Sequence, residues 1–168
     1  MQEGLRIGGH FAHTEMKFTL HQRLQEDTIE IIRLKLSRVL LMDDSSFPWI
    51  VLVPERQGVQ EVYELSIEDR SVLIEEIATA SEIIRQLYSP DKINIGALGN
   101  LVPQLHIHVI GRFRTDRAWP GPVWGTGKAR PYAADELSAV AGRIKKAFSK
   151  KGELLTRSEK KPAKRKSI

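Results

Sequence analysis

The sequence predicts an α+β domain built on an antiparallel sheet, with one long helix and a C-terminal helix. Three observations carry that prediction. Residues 37–42 and 49–53 are two apolar, β-rich runs separated by a short turn; residues 66–89 repeat apolar side chains every three or four positions; and residues 92–98 and 104–110 alternate in character across a short connection. Strands joined by short connections pair antiparallel. A strand pair, a helix, a second strand pair and a second helix, in that order, lay helices on an antiparallel sheet.

Taken in order, residues 1–17 carry Gly4, Gly8 and Gly9 among scattered polar groups with no sustained period, and read as a loose arm. Leu20 and Leu24, four apart, predict a helical turn or two. Ile31, Ile32, Leu34 and Leu36 lead into the first strand at 37–42. Asp43, Asp44, Ser45, Ser46 and Pro48 are turn formers, and Pro54 stops the returning strand. Ser66 with Asp69 has the form of a capping box. Behind it Leu73, Ile77, Ala80, Ile84 and Leu87 mark a buried stripe, and Ser89-Pro90 ends the helix. Residues 119–125 form a stiff loop bearing Trp119 and Trp124. The second helix runs from Ala134 to about Phe148, with Leu137, Val140, Ala141, Ile144 and Phe148 on one side. The domain is thus expected over 18–150, followed by a basic, disordered tail over 151–168.

Composition narrows the class. A chain of 168 residues with 41% hydrophobic and 28% charged residues accommodates one globular domain with tails. No apolar run approaches the length that spans a bilayer, and the N-terminus lacks the features of a secretory signal. The absence of cysteine excludes disulfide scaffolds, thiolate zinc sites and cysteine nucleophiles. A soluble cytoplasmic domain is the expectation. Of 26 Lys/Arg and 21 Asp/Glu, eleven and two fall in residues 143–168, so that end carries +9 and residues 1–142 carry −4. The body is therefore not a basic nucleic-acid-binding domain.

The stretch that carries chemistry begins at Gln104. Alternate side chains of a strand share a face. Leu105, Ile107 and Val109 are expected to enter a core, and Gln104, His106 and His108 to line up on the other face. A neutral imidazole is a competent nucleophile near pH 7. Attack by nitrogen on phosphorus gives a phosphoramidate intermediate that water later hydrolyses. The nucleophile needs its other ring nitrogen fixed by an acceptor, and the leaving oxygen needs a proton or a donor. His106 and His108 have the spacing for that division of labour, and equally the spacing of two surface histidines.

The same stretch resembles the signature of the histidine triad (HIT) superfamily of nucleotide hydrolases and transferases. The resemblance extends over residues 18–125: the hairpin 39–54, the helix from Ser66, the Asn94 strand and the triad strand come in the family's order, and 119–125 resembles a bacterial branch described as diadenosine-tetraphosphate-hydrolase-like. It implies His106 as the nucleophile on the α-phosphorus, His108 as the group that helps the leaving group depart, and Asp43 on the ribose hydroxyls. Asn94 and Asn100 fall near positions that contact phosphate or sugar, and Phe18, Leu20 and Leu41 near the base. It implies a purine nucleotide or dinucleoside polyphosphate as substrate, no obligatory cofactor or metal, and a homodimer. Gln104 stands where the family has its first histidine. An amide cannot titrate, so the alternative is a nucleotide-binding protein with weak or no catalysis.

Other readings compete. Two histidines two apart on a strand can chelate zinc or iron with a third ligand from His10, His13 or His21. Lys145, Lys146, Lys150, Lys151 and residues 160–166 can contact nucleic-acid phosphates, although a solvated tail is favoured. Arg112 and Arg114 can reach a polyphosphate or simply be solvated, and Asp43-Asp44 reads as a turn rather than a metal pair.

Overall fold

The computed structural model describes residues 18–159; the arm over 1–17 and the cluster over 160–166 lie outside the described residues. Five strands form one sheet, β1 (Thr28–Arg33), β2 (Ser37–Met42), β3 (Trp49–Pro54), β4 (Lys92–Gly96) and β5 (Ile107–Arg112), in the spatial order β1-β2-β3-β5-β4. Every pairing is antiparallel. The helices are α1 (Gln22–Asp27), α2 (Ile67–Tyr88) and α3 (Ala134–Glu159), with a short 3-10 turn at Val62–Glu64. The α+β class expected from the sequence is the class found.

Alternation divides the sheet into two apolar faces. Val39 and Leu41 of β2, Ile50 and Leu52 of β3, and Ile107 and Val109 of β5 point to one side. There they meet Leu73, Ile77, Ala80, Ile83 and Ile84 of α2 and Val140, Ile144 and Phe148 of α3. Leu40, Trp49, Val51, Val53 and Ile110 point to the other side and pack with Leu20, Leu24, Phe47, Val102 and Val123. Helices α2 and α3 thus cover one face of the sheet, and α1 with the loops bearing Phe47, Val102 and Val123 covers the other.

The ends of α2 follow the residues that stand there. The Ser66 hydroxyl accepts the Asp69 backbone N–H at 3.0 Å. Ser89 closes the helix in the left-handed region with φ 50°. Gly111 admits α2 to β5: a Cβ there would lie 2.9 Å from Cγ2 of Ile84. Glu76 of α2 is buried and accepts the Leu36 backbone N–H at 2.8 Å, tying helix to sheet.

Three elements differ from expectation. β1 is a separate strand paired with β2, with a register irregularity between Glu30 and Ile32 that breaks its alternation. β5 begins at Ile107 rather than Gln104. The last helix continues past Phe148 and residue 150 to Glu159, so residues 151–159, expected in the tail, are helical. No helix of the described residues is long and apolar enough to cross a membrane.

Candidate active site

Because Leu105, Ile107 and Val109 enter the helix-side cluster, His106 and His108 are left to the opposite side. Both rings are buried and line a cavity of about 470 Å³. Their centroids are 4.9 Å apart and their planes nearly perpendicular, at 80°. The wall around them is apolar, from Leu24, Met42, Trp49 and Trp124, with Arg23, Asp27 and Asn100 as its polar members.

Hydrogen bonds decide where each ring carries its proton. Nδ1 of His106 lies 2.7 Å from the backbone carbonyl oxygen of Gln104. A carbonyl only accepts, so Nδ1 is the protonated nitrogen and Nε2 keeps the lone pair. Nδ1 of His108 lies 2.9 Å from Nε1 of Trp49. An indole N–H only donates, so here Nδ1 holds the lone pair and the neutral ring carries its proton on Nε2. Two histidines two residues apart are held in opposite tautomers. Burial, with the neighbouring His106 adding to it, pushes His108 down to about 3, which keeps it neutral near pH 7.

Trp49 reaches His108 through the sheet register. Val51 of β3 pairs with His108 and Trp49 with Ile110, so the indole is the diagonal neighbour of the imidazole on the same face. Trp124 packs edge-on against His108 with centroids 5.4 Å apart. It reaches that position across Gly96, where a Cβ would come 2.9 Å from Cη2 of the indole.

The chain matches the profile of the HIT domain over residues 23–115. The chain belongs to the HIT domain family. Solved histidine triad proteins are similar to it along most of their length. One from Sinorhizobium meliloti is 45% identical, with 77% of this chain and 96% of that one covered and a TM-score of 0.75. One from Marinobacter aquaeolei is 42% identical over 80% and 98% with a TM-score of 0.78. One from Bradyrhizobium japonicum is 41% identical over 78% and 98% with a TM-score of 0.76. No curated protein matches. HIT domains bind nucleotides, and members of the family are generally nucleotide hydrolases or transferases.

Within this HIT domain, not every residue singled out from the sequence sits at the cavity. Gln104 precedes the strand and does not line the cavity of the two histidines: its side chain accepts the His21 backbone N–H at 2.9 Å and donates to the Thr19 carbonyl at 2.9 Å, on the segment whose Leu20 packs on the histidine side of the sheet. It gives His106 a backbone carbonyl and nothing from its amide. The Asn94 amide oxygen accepts from Arg112 at 2.6 Å, which spends it on the framework rather than on a ligand. Asp43 accepts the Tyr132 backbone N–H at 2.9 Å and does not line the cavity, whereas Asp27 does. Asn100 lines the cavity beside His106. Phe18 and Leu20 line a different cavity over β1 and β2, and Leu41 faces the helices.

Arg112 is not solvated and does not line the histidine cavity. It is 1% exposed, binds Asp116 at 2.8 Å, and lies over the Phe47 and Trp119 rings. Arg114 is exposed, as the solvated reading had it. Among the described residues no three His, Asp or Glu side chains converge as a metal-ligand set, and His21 instead caps α1 by accepting the Arg23 backbone N–H. His10 and His13 lie outside the described residues.

Sequence reasoning passed over Trp49, Arg23 and Asp27. Trp49 had a usable signal, since odd-numbered residues of β3 face the histidines. Arg23 and Asp27 sit on a two-turn helix whose polar side chains carry no pattern of their own.

Proposed function

We propose that this HIT protein hydrolyses a nucleoside polyphosphate or related phosphoanhydride or phosphoramidate through a covalent nucleotidyl-His106 intermediate, with no obligatory metal. The observation that carries the reading is the tautomer of His106. Its Nδ1–H is anchored on the Gln104 carbonyl, which leaves Nε2 as a lone-pair nitrogen inside a cavity large enough for a nucleotide. In the first displacement the Nε2–P bond forms and the bond from phosphorus to the leaving group breaks, its electron pair leaving with that group. The positive charge that develops on His106 is shared with the Gln104 carbonyl. In the second, water oxygen bonds to phosphorus, the P–N bond breaks, and the proton from water passes to solvent.

His108 supports the first displacement as a hydrogen-bond donor through Nε2–H. Asn100 and Arg23 offer a donor and a cation for phosphate oxygens, and Asp27 a carboxylate for sugar hydroxyls. The reading carries a homodimer, supported by the exposed side chains of Ile95, Leu98 and Leu101 on edge strand β4 and the loop after it.

The test compares wild type and His106→Ala on diadenosine tetraphosphate and on an adenosine phosphoramidate. Wild type is expected to turn over at least one of them, with the variant slower by roughly 10⁴-fold or more, as for loss of a covalent nucleophile. If neither protein reacts while both bind adenosine monophosphate, the chain is a nucleotide-binding protein on an enzyme's frame.

A further inference from the structure

A leaving group that departs from phosphorus as a basic oxygen or nitrogen needs a proton, whereas one that departs as a stable anion does not. Histidine delivers a proton readily only from its doubly protonated form, because a neutral ring that gives up its one N–H becomes an imidazolate. In this site Nδ1 of His108 already accepts the Trp49 indole N–H, and the indole has no lone pair to offer in return. A second proton on Nδ1 would face that N–H directly. His106, Trp49 and Trp124 surround the ring and bring no carboxylate to it. Of the charged side chains lining the same cavity, Arg23 opposes a cationic ring and Asp27 favours one. Burial acts in the same direction as the indole.

We infer that the site selects substrates whose leaving group departs as a weakly basic anion, as from a phosphoric or mixed carboxylic–phosphoric anhydride, because Trp49 holds His108 as a neutral donor that has no proton to transfer. This rests on the nucleotidyl-His106 reading and narrows it. In the selected reaction the P–O bond to the leaving group breaks with its electron pair, and the oxygen leaves as phosphate or carboxylate, hydrogen-bonded to Nε2–H but unprotonated. An amine or an alcohol, which must leave protonated, finds no acid. Trp49 touches no reacting atom; it is a positioning residue acting through His108.

Two esters of adenosine monophosphate test this, one with 4-nitrophenol and one with phenol, whose oxygen is the more basic. Wild type is expected to favour the nitrophenyl ester by roughly 10²–10⁴-fold beyond the solution ratio, the factor that a general acid contributes. Trp49→Phe keeps a ring but frees Nδ1 for a second proton, so the preference is expected to be narrower in the variant and to narrow further as pH falls from about 7 to about 5, burial of the ring still opposing that proton. A preference unchanged by the substitution at both ends of that range overturns the inference. Nitrogen-15 NMR of the wild type covers a variant that fails to fold: Nδ1 of His108 is expected as an unprotonated acceptor across the same range, and a protonated Nδ1 overturns the inference. If neither ester reacts, or if His106→Ala reacts like wild type, the hydrolase reading is what fails, and the NMR result still decides the state of His108.

Discussion

Gln104 stands on the histidine side of the sheet, but its side chain is tied to the backbone ahead of α1. By position it belongs to a row of three, and it lies three residues before β5 starts at Ile107. Here the amide spans the backbone of Thr19 and His21, one donor and one acceptor, just ahead of α1. The residue acts as a strut for the wall that carries Arg23 and Asp27. Gln104→Leu is expected to lower stability by about 1–2 kcal/mol, chiefly the cost of leaving the part-buried His21 backbone N–H unmet. Urea unfolding reads this directly, and a variant as stable as wild type would show that the strut carries no weight. The histidines themselves were legible, because alternation with Leu105, Ile107 and Val109 is a strong local pattern. Their tautomers were not, since the partners are a backbone carbonyl and a tryptophan 59 positions away.

Among the elements, β5 holds both the chemistry and its anchor. Arg112 follows His108 by four residues and so points to the same face, where it joins Asp116, Asn94 and the Gly121 carbonyl. The parity that aligned the histidines thus also placed Arg112, yet an arginine at a strand end reads as solvated until its partners are known. Burial works against the Asp116 carboxylate, but the Arg112 guanidinium and the Phe113 and Ala118 backbone N–H groups hold it below the usual range. Removing one member leaves the other charge buried without a partner. Arg112→Met should therefore cost about 3–5 kcal/mol, whereas an exposed control, Arg114→Met, should stay within about 0.5 kcal/mol. Equal melting temperatures for the two variants would contradict this account. The strand that sequence reading missed, β1, fails for a related reason. Its irregularity at Glu30 to Ile32 interrupts the period that would have announced it, and Leu34 and Leu36 run it into β2.

At the scale of the molecule, a single sheet sets the helical core apart from the histidine cavity. Apart from β1, the order of strands and helices was readable, since each is bounded by turn formers or caps and carries its own period. The spatial order β1-β2-β3-β5-β4 was not, because the adjacency of β3 and β5 spans α2 and β4. Phe148 lies in the helix-side cluster, and no residue lining the histidine cavity belongs to that cluster. Phe148→Ala is expected to lower stability by about 3–5 kcal/mol. The same variant should keep its affinity for adenosine monophosphate within about twofold, as distant sites without shared partners act independently. Calorimetry on the folded variant checks the second value, and a large change in affinity would mean that the sheet transmits strain between its faces.

That separation bears on how such a chain changes over generations. A substitution at Arg23, Leu98 or Leu101 alters what the cavity meets without loosening the helical side, and a repacking beneath α2 or α3 alters robustness without rewriting preference. The two traits can drift on their own schedules. A lineage built on this sheet can acquire a new ligand before it acquires any new tolerance to heat, or the reverse.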